Sequence, residues 1–177
     1  MAVVANCGDS RLLTDDGSNY FRQVTRDHRP DEPMEQQRLE EFVQRGEATL
    51  ERLDTWRVYP GGLAVSRTLG DVTYSPAAEP TPDVYRIPLS QPLFSLDSKD
   101  DGCDAPNRTI RFILASDGLW DVMSNHAVGS FGARNDSNGL HRPPAAAVDA
   151  ILAECLRRTG GRHDDTTVLV VDVEVPC

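Results

Sequence analysis

Ile110-Arg111-Phe112-Ile113-Leu114-Ala115-Ser116-Asp117-Gly118 is the stretch whose reading decides the fold. Ile110–Ala115 is dominated by branched and aromatic apolar side chains and reads as a buried strand, which ends at the Ser116-Asp117-Gly118 corner. Toward the C-terminus, Gly129–Pro144 is polar and rich in glycine, as a loop should be. Ala145–Arg158 is the clearest helix: Val148, Ile151, Leu152 and Leu156 form a stripe at the helical period, and Gly160-Gly161 ends it. Val168–Val175 alternates little and reads as a second buried strand.

Upstream, Met1–Asn6 is strand-like, Cys7-Gly8-Asp9-Ser10 turns, Arg11-Leu12-Leu13 resumes an extended run, Asp15–Ser18 turns again, and Tyr20–Thr25 returns. That pattern predicts a β-meander. Pro33 opens a helix over Met34–Arg45, with Leu39, Phe42 and Val43 on one face, Asp31, Glu32 and Glu35 at its start, and Gly46 at its end. Trp56–Asp71 carries Gly61-Gly62, Val84–Leu89 is a short strand, and acidic Ser95–Asn107 reads as an insert-like surface loop. Strands outnumber helices and the helices fall between groups of strands, so the class is α+β, built in layers.

Composition excludes several function classes. The chain has 177 residues and a formal net charge of −10, with a pI of about 4.7 and a mean hydropathy of −0.42. A Lys and Arg deficit of this size argues against nucleic-acid backbones and against anionic membranes as partners. No apolar run approaches the ~20 residues of a membrane span, and Met1–Asn6 lacks the basic segment of a secretion signal. Cys7, Cys103, Cys155 and Cys177 form no C-x-x-C pair, so reduced, scattered thiols are expected. These features together predict an intracellular protein of the cytoplasm or nucleus.

Three acidic corners stand beside predicted strand ends: Gly8-Asp9-Ser10, Ser116-Asp117-Gly118 and His163-Asp164-Asp165-Thr166. Carboxylates on such loops can converge on one cleft. With no Cys or His cluster, an all-oxygen set selects a hard cation, Mg²⁺ or Mn²⁺. Such an ion makes a nucleophile of its water and suits hydrolysis of a phosphate ester. Asp-Gly and Asp-Ser are equally common turn pairs, and Asx-turns alone would account for all three corners.

Five segments in order resemble the metal-dependent protein serine/threonine phosphatases of type 2C. They are Val4–Arg11, Thr25-Arg26-Asp27-His28-Arg29-Pro30, Gly62–Asp71, Leu114–Val122 and Asp164-Asp165-Thr166-Thr167-Val168. Glu35-x-x-Arg38 lies between the second and the third. The resemblance covers residues 1–177 as one domain, incomplete at its N-terminus and interrupted by surface loops at 90–108 and 129–143. It implies two stacked, mainly antiparallel β-sheets flanked by helices, two core Mg²⁺ or Mn²⁺ ions with a weaker third, and phosphorylated proteins as substrates. Asp117 and Asp164 match the carboxylates on the second core ion, and Asp9 matches an aspartate on the third. Arg67 and Asp71 match bracing positions. His28, His126, His141 and His163 are expected as packing, capping or surface residues.

The sequence departs from the family pattern in two places. The Asp-Gly-His-Gly-Gly segment, with the metal-bridging aspartate and the proposed general acid, is nowhere in these 177 residues, so no catalytic residue is assigned on this chain. Asp165 stands where the family usually has Asn. The expected reaction is hydrolysis of phosphoserine and phosphothreonine by metal-activated water, with the isolated chain inactive. The alternative is a non-catalytic, pseudophosphatase-like binding module that keeps the fold.

Overall fold

The computed structural model describes residues 1–15, 20–71, 76–89, 108–136 and 138–175. The elements run β1 (Ala2–Asn6), β2 (Arg11–Asp15), β3 (Phe21–Gln23), α1 (Pro33–Gln44), β4 (Thr49–Arg52), β5 (Trp56–Tyr59), β6 (Asp83–Ile87), β7 (Arg108–Ala115), α2 (Asp117–Trp120), α3 (Asn125–Gly132), α4 (Pro144–Thr159) and β8 (Val168–Val175). Helices and antiparallel strands make this the expected α+β chain. It forms two compact units, one of Met1–Val4, Arg11–Thr25 and Tyr85–Cys177, the other of Ala5–Ser10 and Arg26–Val84.

The first unit is organised by an antiparallel sheet in the order β3-β2-β7-β8. β7 lies inside it, pairing Leu13 with Ile113 on one side and Val170 with Ile113 on the other. Both faces of β7 meet apolar partners, which is why its sequence is a run rather than an alternation. On one face Leu13, Ile113, Ala115 and Val170 pack with Leu119, Met123, Val128, Ala147, Ile151 and Cys155 from the helical segments. On the other, Leu12, Ile110 and Phe112 pack with Ile87, Ala2 and Val4, so the paired β1 and β6 form a further layer.

Arg111 is the exception in β7, a wholly buried cation. Its guanidinium clasps Asp172 on β8 through two bonds of 2.6 and 2.7 Å and donates to the carbonyls of Gly132 and Arg142, each at 2.9 Å. Every side of the charge therefore meets an acceptor, which is what a buried charge requires.

The second unit packs α1 on the β4–β5 hairpin through Leu39, Ala48, Val58 and Ala77. α1 starts where Glu32 accepts from the amides of Met34 and Glu35, with Pro33 supplying the first helical turn. Glu35 is fully buried. It accepts from Ser66 Oγ at 2.7 Å, from Arg67 Nε at 3.0 Å and from Arg38 Nη2 at 3.1 Å. Burial alone would raise its carboxyl, but the bonds from Arg67, Ser66 and Arg38 prevail and hold its pKa at about 2.

Five sequence expectations need correction. On α4 the apolar stripe is shifted: Leu156 is 53% exposed, and Ala147, Ile151 and Cys155 face the core. The meander does not form, because β1 pairs with β6 and leaves β2 to pair with β3 and β7. Val43 is 39% exposed; α1 buries Leu39 and the charged Glu35 instead, since the ion-pair network takes the place of an apolar stripe. β8 is only half-buried, with Leu169 at 54% and Val171 at 38% exposure, because cover on that face of the sheet stops short of them. Gly129–Gly132 is helical, not loop. There a Cβ on Gly129 would stand 3.0 Å from Phe21 and one on Gly132 2.4 Å from Ile113, so these glycines let α3 lie close to its neighbours. The acidic Ser95–Asn107 segment and the Asp16-Gly17-Ser18 part of the predicted turn lie outside the described residues. Among the described residues, no helix is long and apolar enough to cross a membrane.

Candidate metal centre

Asp117 and Asp164 stand on two turns of the first unit that are tied to one another. β7 delivers Asp117 at its C-terminal end, where Ser116 precedes the short α2. The turn before β8 carries Asp164. Ser116 holds the two together: its amide donates to Thr167 O at 3.1 Å, its hydroxyl donates to Asp165 O at 3.3 Å, and it accepts from the Thr167 amide at 3.0 Å. Gly118 permits the approach. A Cβ there would lie 2.5 Å from Asp165 O, 2.9 Å from Thr166 Oγ1 and 3.0 Å from Asp164 O, so any side chain would push the turns apart.

Each carboxylate is oriented by its own turn. Asp117 Oδ1 accepts from the Gly118 amide at 2.9 Å, and Asp164 Oδ1 accepts from the Asp165 amide at 2.8 Å. An Asx-turn would pair each carboxylate with the amide two residues on, and these bonds reach only the next residue, so they orient the side chains without making that turn; they leave Oδ2 of each carboxylate for another partner. Among the described residues neither group joins an ion pair. Behind Asp117, Trp120 Nε1 donates to Ala115 O at 2.8 Å, and Arg11 stacks 5.0 Å over the indole while donating to Asn125 Oδ1. This bracing fixes the backbone that carries Asp117.

Asp9 belongs to the second unit, on the Cys7–Ser10 bend. That bend is shaped by His28, which is fully buried. The Gly8 amide donates to His28 Nδ1 at 3.2 Å, and the His28 amide donates to Gly8 O at 3.0 Å. Because Nδ1 accepts, the ring hydrogen is on Nε2, which faces Asp83 Oδ2 at 3.2 Å. Burial works to raise the Asp83 carboxyl, but His28 and Arg26 beside it, with Arg67, keep it below the usual range. Arg29 Nε approaches Asp9 Oδ2 at 3.9 Å. Arg67 braces this unit as expected, reaching Glu35, Thr81 O and Asp83. Asp71 accepts from Thr68 Oγ1 at 3.2 Å.

The donor set is carboxylate oxygen throughout, which suits a hard divalent cation that keeps several waters. Among the described residues, no three His, Cys, Asp or Glu side chains gather into a group able to hold an ion. Asp117 and Asp164 thus fit as part of a coordination sphere and not as the whole of one. The sequence reading missed Ser116 as the tie between the turns and His28 as the shaper of the Asp9 bend. A hydroxyl directly before Asp-Gly is the signal that could have found the first; nothing local marks the second, because its partner lies 20 residues away.

The profile described as Protein phosphatase 2C matches residues 2–159. The chain belongs to the protein phosphatase 2C family. It is 35% identical over 191 residues to Protein phosphatase 2C 50 of Oryza sativa subsp. japonica, covering 97% of this chain and 43% of that protein. It is also 35% identical to the Probable protein phosphatase 2C 59 of Arabidopsis thaliana, across 96% of this chain and 45% of the relative. The chain therefore spans less than half the length of these phosphatase 2C relatives. The fold is shared with the serine-threonine phosphatase 2C from Toxoplasma gondii, at a TM-score of 0.62 and 24% identity over 98% of this chain and 54% of that one. A C. elegans sex determining protein gives 0.67 at 23% identity over 95% of this chain and 36% of that one.

Proposed function

We propose that this chain carries the C-terminal part of a metal-dependent protein serine/threonine phosphatase, acting on phosphoserine and phosphothreonine in proteins. The observation that supports the reading is the contact between the turn that carries Asp117 and the turn that carries Asp164, laced by Ser116 and Gly118 in the first unit. These two carboxylates would hold one core Mg²⁺ or Mn²⁺, and Asp9 would contribute to a weaker third ion. When bound, such ions lower the pKa of water and neutralise charge growing on the phosphoryl oxygens. The chain's own residues orient the ligands: Ser116 and Gly118 set the spacing of the turns, Trp120 and Arg11 stiffen the backbone behind Asp117, and His28 shapes the bend that carries Asp9.

The 177 residues contain no Asp-Gly-His-Gly-Gly segment, so the polypeptide by itself lacks the expected bridging aspartate and general acid. It should turn over a phosphothreonine peptide little or not at all with Mn²⁺ present. Turnover that vanishes in Asp117→Asn would overturn that expectation of inactivity. The binding-module reading has less support, since a module freed from catalysis has no physical need for two carboxylates held on tied turns. A shift of the melting temperature by micromolar Mn²⁺ supports the metal centre, and no shift supports the module.

A further inference from the structure

We infer that His163 is a positioning residue, whose ring pins the Asp164 turn to the end of α4. The inference deepens the proposed metal centre and rests on it only for the ligand concerned. Four groups meet at this point. Nδ1 of His163 lies 3.1 Å from Thr159 Oγ1, and Nε2 lies 3.6 Å from Cys155 Sγ. The Thr159 hydroxyl donates to Cys155 O at 3.0 Å and accepts from the Gly161 amide at 3.3 Å.

One proton arrangement saturates the whole set. The Thr159 hydrogen is committed to Cys155 O, so its oxygen must accept from His163, which puts the ring hydrogen on Nδ1. Nε2 is then a bare acceptor, and the Cys155 thiol supplies the hydrogen that points at it. Cys155 is 1% exposed and belongs to the apolar cluster with Ile151 and Val170, so the ring is anchored to the buried core of the first unit.

The placement matters for Asp164. The chain reverses at Gly160 and Gly161, at φ 61° and 79°, and brings residue 163 back against the last turns of α4. From there Asp164 has the His163 pin on one side and the Ser116 bonds to Asp165 and Thr167 on the other. Without the ring, Gly160–Arg162 keeps its helix-end bonds and Asp164 keeps its local bonds from Thr166 Oγ1 and the Asp165 amide, but the turn loses its tie to α4 and the carboxylate one of its two fixed flanks. Groups that orient ligands from behind in this way typically alter metal affinity by about 10- to 100-fold.

The test compares wild type with His163→Ala and His163→Asn, because an Asn amide can offer a hydrogen near the Nδ1 position. Amide hydrogen exchange at Asp165 and Thr167 in metal-free protein should be about tenfold faster in His163→Ala and near wild type in His163→Asn. Calorimetric titration with Mn²⁺ should show about tenfold weaker binding for His163→Ala, with His163→Asn recovering most of it. The imidazole ¹⁵N spectrum of the wild type should report the Nδ1–H tautomer. Unchanged exchange in His163→Ala, or an Nε2–H tautomer, overturns the inference. A wild type that takes up no Mn²⁺ while exchange responds as expected keeps the pin and overturns the metal reading of Asp164.

Discussion

Replacing Glu35 by Gln tests the buried network of the second unit with a magnitude that follows from its titration. The native carboxylate holds Arg67, Arg38 and Ser66 and has a pKa of about 2, against 4.5 for the free side chain. A drop of about 2.5 in pKa, at about 1.36 kcal/mol each, corresponds to about 3 kcal/mol of stability. The folded value is depressed, so this contribution is full above pH 4.5 and is lost as pH falls toward about 2. Glu35→Gln removes the charge and leaves Arg67, itself 9% exposed, facing a neutral amide. Urea denaturation of both proteins from neutral pH to about pH 2 should show Glu35→Gln about 3 kcal/mol less stable at neutrality, with the difference shrinking toward zero in acid. Comparing the two chains cancels the titration of every other carboxylate. A difference that stays constant across this range, or that is below about 1 kcal/mol at neutral pH, would refute the reasoning.

Other outcomes follow from the first unit. Gly118→Ala sets a methyl 2.5 Å from Asp165 O; it should lower stability by about 2 kcal/mol and abolish any Mn²⁺-induced melting shift, whereas a wild-type melting curve would show that the turns are not held at that spacing. Arg111→Ala strands Asp172 and empties a buried site, so chemical denaturation should show a loss of about 3–5 kcal/mol. Ser116→Ala deletes the hydroxyl shared by Asp165 O and the Thr167 amide; the melting temperature should fall modestly, with a loss of about 1–2 kcal/mol, while Mn²⁺ binding weakens more than that loss implies.

How much could be read without the structure depended on the range of the interactions involved. β7 was legible because local pattern and burial agree, with Ile110 and Ile113 fully buried; α4 was found with its stripe partly misplaced, since Ile151 is buried but Leu156 is 53% exposed and Cys155 faces the core. α1 was found with Leu39 and Phe42 facing inward and Val43 misplaced, and its buried Glu35 was illegible because its partners Ser66 and Arg67 stand 31 and 32 residues further on. β1 was a legible strand with an illegible partner, since β2 to β5 and α1 all lie between it and β6 in the sequence. At the site, Asp117, Asp164 and Asp9 were singled out as turn residues beside strand ends, and family resemblance rather than spacing assigned them roles. The structure turns the hydroxyl before Asp-Gly into the Ser116 tie and adds what no linear pattern contains: the close approach at Gly118 and the anchoring of His163 against Cys155.

The most direct test of the metal centre is a calorimetric titration of Mn²⁺ into the 177-residue chain, repeated with Asp117→Asn and Asp164→Asn. Neither carboxylate supports the fold through an ion pair among the described residues, so both variants should melt close to wild type. The account predicts saturable binding by the wild type that each substitution weakens by at least about tenfold. Binding that is unchanged in both variants, or absent from a folded wild type, would contradict it.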